Sequence, residues 1–271
     1  MSMEAKEYTL EELLVANLAS ELRDGEVGFI GLGTGGRTFV LAVGVPTVAS
    51  RLAQLTHAPD FVPMLGPIVD PDLDHIPESY TDHELLSWPC RAQITVMDCL
   101  DYWQRGTIKV GFVSGAQVDQ YGNVNTVAIG DYNHPKVRLV GPIAQTNHTA
   151  FGQRVFIFQE HEKRSFVERV DFVSGTGHII DGKPRSEYGL RGGGPYKVYT
   201  DLAIMDFCPE TKRMRLASVH PGVTAEQVQD NTGFELIIPD HVPTTRRPTE
   251  EEVRLIRRID PKGLLLQAKI K

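Results

Sequence analysis

Residues 114–136 read Ser-Gly-Ala-Gln-Val-Asp-Gln-Tyr-Gly-Asn-Val-Asn-Thr-Val-Ala-Ile-Gly-Asp-Tyr-Asn-His-Pro-Lys, a run that sets carboxamides, carboxylates and glycines at short spacing. Residues of these types serve either of two ends. At the rim of a site they present fixed donors and acceptors to a ligand. Within a loop, Asp119, Asn123 and Asn125 bond nearby backbone to hold turns, while Gly115 and Gly122 permit positive φ or close backbone approach. On the residues alone both readings stand. The apolar run 108–113 comes just before, and in open α/β sheets ligands bind beyond the carboxyl ends of such strands.

Other words carry less chemistry. Residues 31–36, Gly-Leu-Gly-Thr-Gly-Gly, offer backbone amides to a phosphate, or simply turn a strand into a helix. Gly31, Gly33 and Gly36 fall at Gly-x-Gly-x-x-Gly spacing, but a dinucleotide site also expects a direct opening into a helix and an acidic residue on the next strand, and neither is evident in the sequence. His161-Glu162-Lys163-Arg164 lacks the second histidine of a His-Glu-x-x-His zinc word. The loop at Arg191 to Pro195 is a further candidate for a nucleotide phosphate, and His134 and His148 are the histidines placed to titrate near neutral pH.

The elements that must position these residues follow from pattern. Thr9 to Glu12 is a capping box, opening an amphipathic helix through Leu22 that stops near Gly25. A strand is predicted over residues 27–30, a second helix over 47–55, and strands over 93–97, 108–113, 155–158, 198–207, 214–219 and 234–238. Residues 207–212 read as a turn between antiparallel strands, and capping boxes recur at Thr224 and Thr249. No linker or repeat divides the chain. One domain over residues 1–271 is the simplest account, with 239–271 an extension packing on that domain or on a partner.

Composition bounds the function. With 41% hydrophobic residues the chain buries a full core, and a formal charge of −7 leaves no basic footprint for nucleic acid or an anionic membrane. Cys90, Cys99 and Cys208 lack metal-ligand spacing and are odd in number, so neither a metal site nor a disulfide framework is expected. The beginning has no signal-peptide core, and no apolar run reaches the roughly 20 residues of a membrane span. A cytoplasmic location is the expectation.

The 114–136 run also resembles the β subunit of class I CoA-transferases, most closely that of the glutaconate CoA-transferase type, through Gly-Ala-Gln-x-Asp-x-Tyr-Gly-Asn-x-Asn followed by Gly-Asp-Tyr and His-Pro-Lys. In the same order come the His161, Val170-Asp171-Phe172-Val173, Ile180-Asp181-Gly182, Thr211-Lys212-Arg213-Met214, Asn231-Thr232-Gly233-Phe234 and Ile259-Asp260-Pro261 words. The resemblance implies a three-layer α/β/α fold of CoA-transferase type, its sheet mostly parallel with an antiparallel part. It implies an α-type partner subunit in a heterodimer or larger heteromer, an acyl-CoA substrate, and no permanently bound cofactor, coenzyme A arriving as part of the substrate. Relative to the family, this chain carries an insertion between Thr34 and Gly44.

The family's catalytic glutamate stands six residues after an Ala-Pro-Asp word, and attacks the thioester to form a glutamyl-CoA. Counting six from Asp60 reaches Gly66, so the expected nucleophile is missing. Asp70, Asp72, Asp74 and Glu78 lie downstream as candidates for a relocated carboxylate. Otherwise the chemistry is different: acyl-CoA ring-opening hydrolases of the family also carry glycine there, and a decarboxylase carries cysteine. The resemblance then implies backbone amides of Ser114, Gly115 and Ala116 as an oxyanion site, Gln117 orienting substrate or water, Asn123 and Asn125 holding the loop, and Gly33 and Gly35 touching substrate. The base would come from the α partner. A β chain that only shapes its partner's pocket is the remaining alternative.

Overall fold

Thr9 accepts from the Glu12 amide at 3.2 Å and its own amide donates to the Glu12 carboxylate at 2.8 Å, closing the box that opens helix α1 (Leu10–Ala19). This computed structural model describes residues 3–31, 35–78 and 83–267. Contacts divide the chain into two units, residues 1–112 with 246–271 and residues 113–245, where the sequence reading has one domain.

The first unit holds strand β1 (Val27–Ile30), helix α2 (Gly36–Thr56), strands β2 (Val62–Leu65), β3 (Ile68–Pro71) and β4 (Cys90–Gln93), helix α3 (Val96–Gln104) and strand β5 (Val110–Val113). Its strands run in the order β5-β1-β2-β3-β4, with β1 parallel to both neighbours and the outer pairs antiparallel. Helix α2 starts well before the predicted Thr47, because residues 36–46 continue it toward the N-terminus through a wider π-turn over Val40–Gly44. By length and composition α2 is apolar enough to cross a membrane, which corrects the reading that no such segment exists; 72% of its apolar window is buried inside the protein, as in a core helix. The strand expected over 93–97 is also corrected. Thr95 caps α3 through Asp98, so Val96 and Met97 are its first helical residues. The C-terminal helix Glu250–Ile259 packs on α1 and α2, and the Arg257 guanidinium clasps buried Glu12 at 2.6 Å. That part of the tail packs on the chain itself.

The second unit contains β6 (Gln117–Asp119), β7 (Val124–Asn125), β8 (Ala128–Ile129), β9 (Val137–Arg138), helix α4 (Gln145–Phe151), β10 (Arg154–Phe158), β11 (Phe166–Val167), β12 (Ile179–Ile180), β13 (Lys183–Pro184), β14 (Pro195–Tyr199), β15 (Ala203–Phe207), β16 (Met214–Val219) and helix α5 (Ala225–Asp230). Strands β16-β15-β14-β10 form its main layer, parallel between β10 and β14 and antiparallel beyond, so the mixed α/β sheet expected from the sequence is present. The single run 198–207 is in fact two strands, with Val198 opposite Met205. Residues 234–238 contribute only an isolated bridge from Ile237 to Arg215. Val118, Val124, Ile157, Phe166, Val198 and Met205 are among the residues of this unit's core, so β6 and β7 anchor the first half of the 114–136 run in it.

Candidate functional site

Gln117 and Asn125 are register partners across β6 and β7, which places their carboxamides side by side. The Asn125 side chain donates to Gln117 Oε1 and to the Ala128 carbonyl, each at 2.7 Å, and its oxygen accepts from the Val127 and Ala128 amides. Gln117 Oε1 also accepts the Asp171 amide at 3.0 Å, while Gln117 Nε2 donates to Asp171 Oδ2 at 3.0 Å. That carboxylate oxygen takes the Gly130 amide as well, at 2.8 Å. Both carboxamides are buried. Gln117, expected to orient substrate, is placed as an internal brace that binds three segments of the second unit together.

Ser114 sits where β5 ends. Its carbonyl accepts from Gln145 Nε2 at 2.7 Å, and its hydroxyl donates to Gln159 Oε1 at 3.3 Å. Gln145 Oε1 in turn accepts the hydroxyls of Thr126 and Ser174. The Ala116 amide donates to the Asn125 carbonyl at 2.8 Å, so of the three amides expected at an oxyanion this one already has an acceptor. Gly115 is required by close approach: a Cβ there would lie 2.3 Å from Val124 Cγ1 and 3.0 Å from the Asn125 carbonyl.

Asn123 is buried and also faces inward. Its side-chain nitrogen donates to both Asp119 oxygens and to the Ile179 carbonyl, and its oxygen accepts the Gly177 amide at 2.7 Å. Asp119 further accepts the Tyr121 and Asn123 amides. Burial pushes the Asp119 carboxyl up to about 6, against the pull of those donors. This half of the loop therefore follows the turn-holding reading, with Asp119 as its hub.

Gly66 lies in the first unit, in the hairpin that joins β2 to β3, where Leu65 pairs with Ile68. Its φ of +55° is left-handed, a conformation that glycine adopts without the Cβ penalty. Its amide donates to the Ile30 carbonyl at 3.1 Å, and the buried Cys99 thiol donates to its carbonyl at 3.6 Å. Burial holds that thiol above its usual range, which keeps it protonated. The four downstream carboxylates are all engaged in ion pairs. Asp70 pairs with Arg91 at 2.8 Å, Asp72 with His75 at 2.6 Å, Asp74 with Arg51 at 2.6 Å and Glu78 with Lys262 at 3.1 Å. The His75 hydrogen bond holds Asp72 below the usual carboxylate range. Asp70 stands three residues past the Gly66-Pro67 turn, about 10 Å along the strand at 3.3 Å per residue.

Gly33 lies outside the described residues, and Gly35 is the exposed residue before α2. Of the histidine candidates, His134 lies in the second half of the 114–136 run and His148 is buried on α4. His134 is 92% exposed. His161 is buried between the Thr200 and Thr232 hydroxyls, and burial pushes it down to about 4. Sequence reasoning missed Gln145, Gln159 and Ser174, which hold Ser114 and Thr126 from distant segments, and noticed Asp171 only as part of a word shared with the family.

The sequence profile of the coenzyme A transferase family matches residues 13–231. The β-type subunit of 3-oxoadipate CoA-transferase from Pseudomonas knackmussii is 36% identical over 257 residues, covering 93% of this chain and 94% of its own length. The cholesterol ring-cleaving hydrolase IpdB subunit of Mycobacterium bovis is 33% identical over 220 residues, covering 80% of this chain and 85% of its own. In structure, glutaconate coenzyme A-transferase from Acidaminococcus fermentans superposes with a TM-score of 0.81 at 30% identity, covering 97% of this chain and 98% of the other. Profile, sequence relatives and fold agree: the chain belongs to the coenzyme A transferase family.

Proposed function

We propose that this chain is the β-type subunit of a heteromeric enzyme that acts on acyl-CoA thioesters without a glutamyl-CoA intermediate, cleaving a carbon–carbon bond by hydrolysis or decarboxylation. The observation that carries the reading is Gly66: the counted nucleophile position has no side chain and a left-handed φ of +55°. The ion pairs at Asp70, Asp72, Asp74 and Glu78 support it, because each candidate replacement already has a cation or imidazole partner. The resemblance at this position to ring-cleaving hydrolase subunits points the same way. Three free cysteines accord with a reducing, cytoplasmic compartment.

In the hydrolytic form, water adds to the β-carbonyl carbon of the acyl-CoA. The bond from that carbon to the α-carbon then breaks, its electron pair passes into the thioester enolate, and the enolate is protonated at carbon. The amides of Ser114 and Gly115 face the developing oxyanion, since fixed donors in a dry site lower such a barrier most. Gln117 and Asn125 keep those amides aimed, and the general base comes from the α-type partner.

The 36% identity to a 3-oxoadipate CoA-transferase subunit favours a second reading, a transferase with a relocated carboxylate. One experiment separates the two. The intact mass of this chain, co-purified with its α-type partner, is measured after exposure to a panel of acyl-CoA esters with and without borohydride. No adduct on the chain, with cleaved or decarboxylated acyl-CoA in solution, is the expected result. A CoA adduct that borohydride converts to an alcohol overturns the proposal.

A further inference from the structure

The chain after α5 adds a partial rung to the outer edge of the second unit's main layer. Ile237 wraps Arg215 of β16: its amide donates to the Met214 carbonyl at 3.2 Å, and its carbonyl accepts the Leu216 amide at 2.9 Å. Both main-chain groups of Ile237 therefore face β16, and in an extended segment those of its neighbours alternate to the opposite edge. There Gln229 of α5 stands in for a further strand. Its Nε2 donates to the Phe234 carbonyl at 2.8 Å and its Oε1 accepts the Leu236 amide at 3.0 Å, so one carboxamide spans the two groups that a single residue of a parallel strand would span. The next pair along this edge is open. Among the described residues the Leu236 carbonyl and the Ile238 amide have no hydrogen-bond partner, and Ile238 is 41% exposed. Unpaired edge groups are a template for another chain, and Pro239, which has no N–H to offer, ends this one after a single rung.

The same residues border a groove of about 810 Å³, lined by Lys163, Arg213, Gln229 and residues 232–238. Its flank is cationic, in a chain whose formal charge is −7. Lys163 is exposed and forms no ion pair among the described residues. Arg213 reaches Glu235, the one acid among the described lining residues, only at 4.0 Å, and the Glu235 side chain is 89% exposed. We propose that this edge takes an extended, acidic segment of another protein as an added parallel strand, with its main chain on Leu236 and Ile238 and its carboxylates toward Lys163 and Arg213. Charge selects the occupant, because a basic strand of the same shape meets like charge at both cations. Gln229 selects the direction: an antiparallel strand needs both main-chain groups of Leu236, and the amide is already taken. The proposal stands apart from the reaction that the heteromer catalyses.

The test uses the heteromer purified with its α-type subunit. The probe is a short fluorescein-labelled peptide of alternating valine and glutamate, titrated by fluorescence anisotropy, with hydrogen exchange followed at the Ile238 amide. The expected result is saturable binding that slows exchange at Ile238. A version of the peptide N-methylated at every main-chain nitrogen should bind about tenfold more weakly, the scale of a lost main-chain hydrogen bond. Lys163→Glu should weaken binding about fivefold, and a peptide of alternating valine and lysine should not bind. N-methylation leaves the protein untouched and Lys163 is exposed, so neither loss is a failure to fold. Equal binding of the N-methylated peptide overturns the proposal, because the contact would then be charge alone. So does the absence of binding, and so does an Ile238 amide already slow to exchange before peptide is added, which would mean that the assembly itself covers the edge.

Discussion

Asn125 donates to Gln117 Oε1 across 2.7 Å, and both carboxamides are buried. This pair fastens β7, which ends at Asn125, to β6, which begins at Gln117, and through Asp171 it reaches a third segment. Held in this way, the two carboxamides act as a buried brace of the loop.

Asn125→Ala removes two donated and two accepted bonds at a buried position, and should destabilise the chain by about 3 kcal/mol, at the upper end for buried groups left unsatisfied. The measurement is the urea midpoint at constant m. Gln117→Ala should couple to it by about 1 kcal/mol or more in a double-mutant cycle, as contacting residues do. Independent effects would show that the pair does not act as one brace. Gln117→Glu should be worse than Gln117→Ala, because it sets one carboxylate against that of Asp171.

Gly115→Ala places a methyl 2.3 Å from Val124 Cγ1, inside contact distance, and 3.0 Å from the Asn125 carbonyl. The loop has to shift, at an overpacking cost of about 1–3 kcal/mol. If the Ser114 and Gly115 amides hold the oxyanion, kcat should fall by about 100-fold, the scale of losing one such donor, with KM little changed. A variant of parental kcat would remove these amides from the mechanism.

The sequence made some of this legible and hid the rest for physical reasons. Local signals survived folding well: three predicted capping boxes, at Thr9, Thr224 and Thr249, are present as written, because each closes over four residues. Segments whose state depends on distant packing did not. Residues 93–97 carry β-compatible apolar residues, yet the Thr95 cap on Asp98 commits Val96 onward to helix. The 114–136 loop was visible as polar and glycine-punctuated, but its inward direction was not. Whether Gln117 faces a ligand or a neighbour depends on Asp171, 54 positions away in the chain, which no spacing rule reaches. The missing side chain at Gly66 was readable by counting; its left-handed backbone was not.

Two buried histidines predict acid lability. His161 is pushed down to about 4 by burial, and His220, between Thr245 and the Thr200 carbonyl, is also lowered by burial. Each binds a proton more readily when unfolded, so the stability they contribute is full above pH 6.5 and declines as pH falls below it, for His161 down to about 4. Asp119 runs the other way: with its folded value raised to about 6, the chain gains stability as pH falls from 6 toward 3.8, which offsets part of the histidine slope. His161→Gln should therefore flatten the stability curve between pH 6 and 4.5 by about 1.4 kcal/mol per pH unit, the value for one proton. Urea titrations at stepped pH read this directly, and an unchanged slope would mean that His161 titrates normally.

The four downstream carboxylates decide between the two reactions. Asp70→Asn, Asp72→Asn, Asp74→Asn and Glu78→Gln each remove one ion pair at least partly open to solvent, and such pairs contribute about 0–1 kcal/mol. All four variants should fold, and each should keep turnover of the heteromer within about threefold, equivalent to about 0.65 kcal/mol in the barrier. Asp70 is the most informative, since it also accepts from Gln54 at 3.3 Å, has a positive φ of 48° and lies nearest the Gly66 hairpin in sequence. A relocated nucleophile would announce itself as one variant that loses activity by several orders of magnitude and with it any borohydride-sensitive adduct. Uniformly small effects would leave no carboxylate among these four to carry a glutamyl-type intermediate, and the reaction would then have to proceed by water or proton transfer at the substrate itself.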